Sequence, residues 1–223
     1  MIRILHLETS TRACSVVLSV DGEPKFIQES SSDEFMHSEQ LTLYIQEVLK
    51  MASCSLNEID AVSVASGPGS YTGLRIGVST AKGLCYGLEI PLIAVDSLVS
   101  LAELAREKYP NQTICSMIDA RRMEVYAAIY DSELNIVKPI SADILTEESY
   151  LEFEPFVYLG DGAAKLSELW EGRNCTPDLS IHASAKGQVR LAYEKFRKSE
   201  FEDVAYFEPY YLKDFIAGAP SKR

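Results

Sequence analysis

Val64-Ala65-Ser66-Gly67-Pro68-Gly69-Ser70-Tyr71-Thr72-Gly73-Leu74-Arg75-Ile76-Gly77 is the stretch around which the rest of the chain is organised. The apolar run Ala61 to Ala65 stops at Gly67-Pro68-Gly69, which reads as a strand ended by a tight turn. A helix is expected from about Thr72 to Leu88, with Ser70 or Thr72 offering a hydroxyl as its cap. Ile76, Val78, Ala81, Leu84, Cys85 and Leu88 recur at helical spacing. Gly73 and Gly77 lie one turn apart, and Gly83 and Gly87 repeat that interval. Each interior glycine costs about 1 kcal/mol relative to alanine. Four of them in one helix therefore mark a face that another backbone approaches closely, in the chain's own body or in a second protein.

Counting excludes the usual phosphate loops. A Walker loop needs Gly, four residues, then Gly-Lys-Ser/Thr. Here five residues separate Gly67 from Gly73, and Leu74 stands where the lysine belongs. The dinucleotide fingerprint fails because Thr72 occupies its third glycine.

The surrounding chain sets the class. Its 223 residues leave ample material for a core, and 47% apolar with 24% charged residues is ordinary for a globular protein. No apolar run reaches the ~18 residues of a membrane span, and the N-terminal stretch is too short before Glu8 to be a signal peptide. Cytoplasm is the expected compartment. Five cysteines, widely spaced and without a C-x-x-C pair, read as reduced thiols, with Cys14, Cys85 and Cys115 among apolar neighbours. A net charge of −12 disfavours direct capture of RNA, which needs clustered lysine and arginine.

In order, Ile2 to Glu8, Ala13 to Val20 and Pro24 to Gln28 read as three antiparallel strands, the last two joined by Asp21-Gly22. Ser30 to Met36 reads as polar linker. A helix follows from about Ser38 to Met51, then the strand, glycine loop and helix above. Pro91 to Val95 is a strand, and Ser97 is expected to cap a helix to about Lys108. The pattern then restarts, with strands at Thr113 to Asp119, Glu124 to Tyr130 and Leu134 to Lys138. Glu8 and Asp119 fall at matched turns, which points to a duplication with lobes at about 1–109 and 110–223. Beyond Pro139 the expectations are short helices at Thr146 to Leu151 and Ala163 to Trp170, and a strand at Phe156 to Leu159. An irregular stretch runs through Pro177, a last helix covers Ala185 to Lys198, and the aromatic tail folds onto the body or a partner.

Little in the residues points to independent chemistry. Histidines at 6, 37 and 182 form no i, i+4 pair, so no metal site is expected. Ser70 lies one place too early for a nucleophile elbow and has no histidine placed to activate it. Glu8 and Asp119 are the only paired carboxylates of interest, each equally readable as a turn residue bonding its own backbone.

The motifs together resemble one family. Leu7-Glu8-Thr9-Ser10, Gly67 through Gly77, Ala81-Lys82-Gly83-Leu84, Asp119-Ala120-Arg121-Arg122, Gly160-Asp161-Gly162-Ala163 and Tyr211-Leu212-Lys213 are similar to the TsaB (YeaZ) family, in the right order along nearly the whole chain. The resemblance implies an α/β protein of the actin/sugar-kinase/Hsp70-like (ASKHA, ribonuclease-H-like) fold, two duplicated lobes with mixed sheets. It implies a non-catalytic role in making N6-threonylcarbamoyladenosine at position 37 of tRNAs that read A-starting codons. In that family's pathway a TsaD-like paralogue carries the metal and transfers the threonylcarbamoyl group, while TsaB binds it and helps recruit a TsaE-like ATPase. TsaD's metal histidines lie one helical turn apart, whereas His37 here is followed by Leu41.

The expected partner surface is the first lobe's two helices, with Leu41, Tyr44, Ile45, Gly73, Arg75, Gly77, Ala81 and Leu84 as contacts. Alone, the same surface can pair with itself as a homodimer. No cofactor is required on this reading, tRNA is reached only through the partner, and Thr9 and Ser10 are the residues for a weak ATP or ADP contact. Family members commonly place aspartate where this chain has Glu8, and the longer carboxylate argues against independent nucleotide hydrolysis. The alternative is an ASKHA-fold phosphotransferase or peptidase-like hydrolase acting through its own cleft.

Overall fold

The computed structural model describes residues 1–31 and 37–213. The hairpins come first because their turns are encoded locally. β1 (Arg3–Glu8), β2 (Ala13–Val20) and β3 (Glu23–Ser31) run antiparallel. Asp21 and Gly22 turn the second pair at φ 51° and 81°, left-handed values that glycine and aspartate tolerate best. After α1 (His37–Met51), β4 (Ala61–Ala65) enters parallel to β1, α2 (Tyr71–Leu88) crosses over, and β5 (Leu92–Val95) pairs parallel with β4. α1 and α2 cover one face of this sheet, burying Leu41, Val48, Val78, Ala81 and Cys85 against Leu5, Leu7, Val16 and Val64.

α3 (Ser97–Ala105) leads to the second set of strands: β6 (Ile114–Asp119), β7 (Glu124–Tyr130), β8 (Ile136–Ile144), β9 (Phe156–Leu159) and β10 (Cys175–Asp178). α4 (Val189–Lys198) closes the helical set. The strand orders are β3-β2-β1-β4-β5 and β8-β7-β6-β9-β10, so the second sheet repeats the first strand for strand. Glu8 pairs Ser15 and Asp119 pairs Val125 at the last rung of each first hairpin, so the matched positions read from sequence hold in register.

The helices then cross between the two sheets. α3 lays Leu98, Leu101, Ala102 and Ala105 on Ile114, Ile118, Ala128 and Val157 of the second sheet. α4, late in the chain, sets Ala192 against Ile4, Ala61, Ile93 and Val95 of the first. Gly187 lets the approach to α4 touch α3, since a Cβ there would lie 2.2 Å from the Ser100 carbonyl oxygen.

Several local expectations are corrected. Asp96, not Ser97, caps α3 by accepting from the Leu98 and Val99 N–H groups, and the helix ends at Ala105 rather than Lys108. β8 extends to Ile144, with Pro139 tolerated because β8 is an edge strand. The expected helices at 146–151 and 163–170 are a turn followed by a 3-10 turn at Leu151–Phe153, and a 3-10 turn at Ala163–Leu166. Trp170 explains this, because its ring sits edge-on to Tyr150, Phe156 and Tyr158, and holding it there outweighs helix continuity. The stretch read as irregular contains β10, and the last helix begins as a 3-10 turn at Ala185–Gln188. Of the linker expected from Ser30 to Met36, Ser30 and Ser31 belong instead to β3, while 32–36 and the tail beyond Lys213 lie outside the described residues. Among the described residues no helix is long and apolar enough to cross a membrane.

Candidate functional site

The glycine loop closes over the first turn of the chain. Ser70 caps α2 by accepting from the Gly73 N–H, and its own N–H donates to the Ser10 carbonyl at 2.6 Å. The Thr9 hydroxyl donates to the Gly73 carbonyl at 2.8 Å. A Cβ on Gly69 would lie 2.3 Å from Ser10 O, one on Gly73 2.0 Å from Thr9 O, and one on Gly77 2.3 Å from Thr9 Oγ1. Only glycine lets α2 descend this far onto the loop. Gly83 and Gly87, at the same spacing further along, have nothing within 4 Å.

Below that lid Glu8, Gln188 and Ser63 are joined by hydrogen bonds, while Ser10 Oγ is buried without a partner among the described residues. Glu8 is almost fully buried and accepts from the Ser10 N–H at 2.7 Å. Gln188, also buried, donates to the Leu7 carbonyl at 2.9 Å and to Glu8 at 3.4 Å, while its oxygen takes the Ser63 hydroxyl at 2.7 Å. Burial pushes the Glu8 carboxyl above its usual range, against the opposing pull of the Ser10 and Gln188 hydrogen bonds.

The matched turn of the second half is built differently. Asp119 accepts from the Arg121 N–H at 2.6 Å and pairs with Lys165, which also donates to the Glu124 carbonyl at 3.0 Å. Asp161 receives the Asp119 N–H at 2.9 Å, and burial raises its carboxyl. Of the two matched acids, one is sealed and hydrogen-bonded while the other is an ion pair with its side chain 40% exposed.

A strap from Ser199 to Lys213 crosses above the glycine loop. The Glu202 N–H donates to Leu92 O at 2.9 Å, and Lys82 of α2 holds the Ala205 and Phe207 carbonyls at 3.2 and 2.8 Å. The Tyr210 N–H donates to Ser66 O, and its carbonyl oxygen lies 2.5 Å from where a Gly67 Cβ would stand. Tyr211 stacks 4.7 Å from Tyr71 and accepts from Arg75 Nε at 3.2 Å, and Lys213 reaches Glu124 at 2.5 Å. The tail therefore folds back onto the body as far as Lys213.

These positions revise the expected contacts. Leu41, Ile45, Gly73, Gly77 and Ala81 are buried inside this chain, because they face the sheet and first turn that α1 and α2 cover. Arg75 is exposed but already engaged by Tyr211 and Tyr71, and Tyr44 and Leu84 are half-buried. Thr9 and Ser10 are fully buried, so neither side chain is open to a nucleotide in this conformation. The outward surface belongs instead to Leu43 of α1 and to Ser79, Gly83, Tyr86 and Gly87 of α2, with Tyr86 83% exposed. Sequence reasoning missed Gln188, which bonds Glu8 beneath the lid, and Lys82 and Tyr211, which hold the strap to α2. Lys82 and Tyr211 lay inside quoted motifs, whereas nothing local marked Gln188. Among the described residues no group of three or more histidine, cysteine or acidic side chains is placed to hold a metal ion.

The comparisons with known proteins fit this geometry. A family model described as TsaD, tRNA N6-adenosine threonylcarbamoyltransferase, matches residues 33–217. The tRNA threonylcarbamoyladenosine biosynthesis protein TsaB of Escherichia coli (strain K12) is 31% identical, covering 96% of this chain and 96% of its own length. The chain belongs to the TsaB family. TsaB of Haemophilus influenzae is 29% identical over 96% of this chain and 94% of its own. The solved YeaZ structure from Pseudomonas aeruginosa superposes with a TM-score of 0.83 at 26% identity, covering 95% of this chain and all of that one. A 2-hydroxyisocaproyl-CoA dehydratase activator from Clostridium difficile shares the fold alone, at TM-score 0.54 and 9% identity, over 89% of this chain and 97% of that one. The fold is thus the actin/sugar-kinase/Hsp70-like architecture that the family resemblance implied, and the matching strand orders of the two sheets agree with it.

Proposed function

We propose that this chain is a non-catalytic subunit in the synthesis of N6-threonylcarbamoyladenosine on tRNA. It binds a TsaD-like transferase and a TsaE-like ATPase and meets tRNA only through them. The observation that carries this reading is the closure of the first turn. Glu8, Thr9 and Ser10 are buried under α2, and their hydrogen bonds go to Gly73, Gln188 and neighbouring backbone. What such a domain offers outward is the shared surface of α1 and α2, which pack side by side and expose Leu43, Gly83, Tyr86 and Gly87. Exposed small residues beside an aromatic allow close helix approach with a large side chain as anchor.

Gly83→Arg is the informative substitution. A side chain at Gly83 meets nothing in this chain, whereas one at Gly77 collides with Thr9. Calorimetry with the TsaD-like protein is expected to show at least tenfold weaker binding for Gly83→Arg, with a melting temperature that does not fall. Undiminished affinity overturns the assignment of this face. ATP turnover by the isolated chain, lost on Glu8→Ala, overturns the non-catalytic reading.

A further inference from the structure

Resting on that subunit reading, we infer that the partner surface continues from α2 onto the strap, and that the notch between them takes an acidic segment of the partner. The notch holds about 300 Å³ between Arg75, Ser79 and Lys82 of α2 and Phe207, Glu208 and Tyr211 of the strap. Two nearly bare tyrosines neighbour its lining residues along the chain. Tyr86 stands one turn beyond Lys82, and Tyr206, 84% exposed, follows Ala205, whose carbonyl Lys82 holds. Tyr210 adds a third aromatic at 47% exposure.

Tyrosines left bare around a concave surface are what protein interfaces use, because a rigid ring contributes apolar area and a hydroxyl at small entropic cost. The charge inside selects the occupant. Arg75 and Lys82 place two cations against the single carboxylate of Glu208, in a chain whose net charge is −12. Among the described residues neither cation has an ion-pair partner: Arg75 bonds Tyr211 and lies over the Tyr71 ring, and Lys82 bonds backbone carbonyls. A carboxylate from the partner meets that excess, flanked by apolar contacts to Phe207 and Val78.

The strap is also held well enough to serve as a surface. Backbone pairs at Glu202 and Tyr210 and the grip of Lys82 fix it to the first lobe.

Three full-length variants test this by calorimetry with the TsaD-like protein. Tyr206→Ala removes a side chain that packs on almost nothing in the free chain, and is expected to weaken binding by about tenfold. Glu208→Lys raises the notch's positive charge and is expected to tighten binding by about two- to fivefold at low salt, with the gain fading as salt rises. Gly83→Arg reports on α2 separately. If Gly83→Arg abolishes binding while Tyr206→Ala and Glu208→Lys leave it unchanged, the notch is overturned and the subunit reading stands. Weaker binding with Glu208→Lys overturns the acidic occupant. Failure of the unmutated chain to bind overturns both.

Discussion

His6 gives this protein an acid sensitivity that a single substitution should remove. The imidazole is completely buried in β1, with Nε2 2.8 Å from Ser19 Oγ and Nδ1 without a partner. Burial lowers its pKa from 6.5 to about 3, because a charged ring there would lose its water and gain no counter-ion. The folded state thus favours the neutral ring. Its contribution is complete above pH 6.5 and is lost progressively as pH falls from 6.5 toward 3, since the unfolded chain takes up the proton first. One pH unit of such a difference is worth about 1.4 kcal/mol, so the loss reaches about 2 kcal/mol at pH 5.

Other buried acids act in the opposite sense. Asp96, raised to about 6 by burial, and Glu8, raised likewise, favour folding more as pH falls through their folded values. A pH profile of the unmutated protein therefore mixes these effects. His6→Gln keeps an amide that can bond Ser19 and removes the titration. Urea unfolding of both proteins between pH 7.5 and 5 should show the stability difference shifting in the variant's favour by about 2 kcal/mol, while the shared Asp96 contribution cancels. Parallel profiles for the two proteins would refute the argument.

Gly73→Ala drives a methyl to 2.0 Å from Thr9 O and should cost about 3 kcal/mol in thermal or urea melts. Gly83→Ala meets open space in a helix interior and should add up to about 1 kcal/mol, so opposite signs at identical spacing are the expected result. Native thiol labelling should modify Cys54 and Cys175 first and leave Cys14, Cys85 and Cys115 protected until unfolding, because the latter three are buried and burial raises their thiol pKa.

Alternation, hairpin turns and the glycine loop were legible because each depends on neighbours within a few residues. Asp21-Gly22 needs only its own left-handed backbone, and a strand in a half-buried sheet writes its face at every second position. The restart at residue 113 was legible for the same reason, and the matching strand orders follow from it. β10 was not legible. Cys175-Thr176-Pro177-Asp178 has little strand character, and it pairs because β9 offers a free edge. The failed helix before Trp170 likewise lost to an aromatic cluster whose other rings, Tyr150, Phe156 and Tyr158, come from the preceding turn and β9.

By itself, the sequence determined that this chain is a duplicated α/β protein with a glycine-faced helix, since periodicity and turn chemistry act at short range. Only the tertiary structure decided what each glycine does. Gly73 and Gly77 admit Thr9 while Gly83 and Gly87 face outward, although their spacing along α2 is the same. The same holds for the matched acids, where Gln188 helps seal Glu8 and Lys165 pairs Asp119. Helical spacing fixes a residue's angle about its own axis, but what lies at that angle comes from segments far away in the chain.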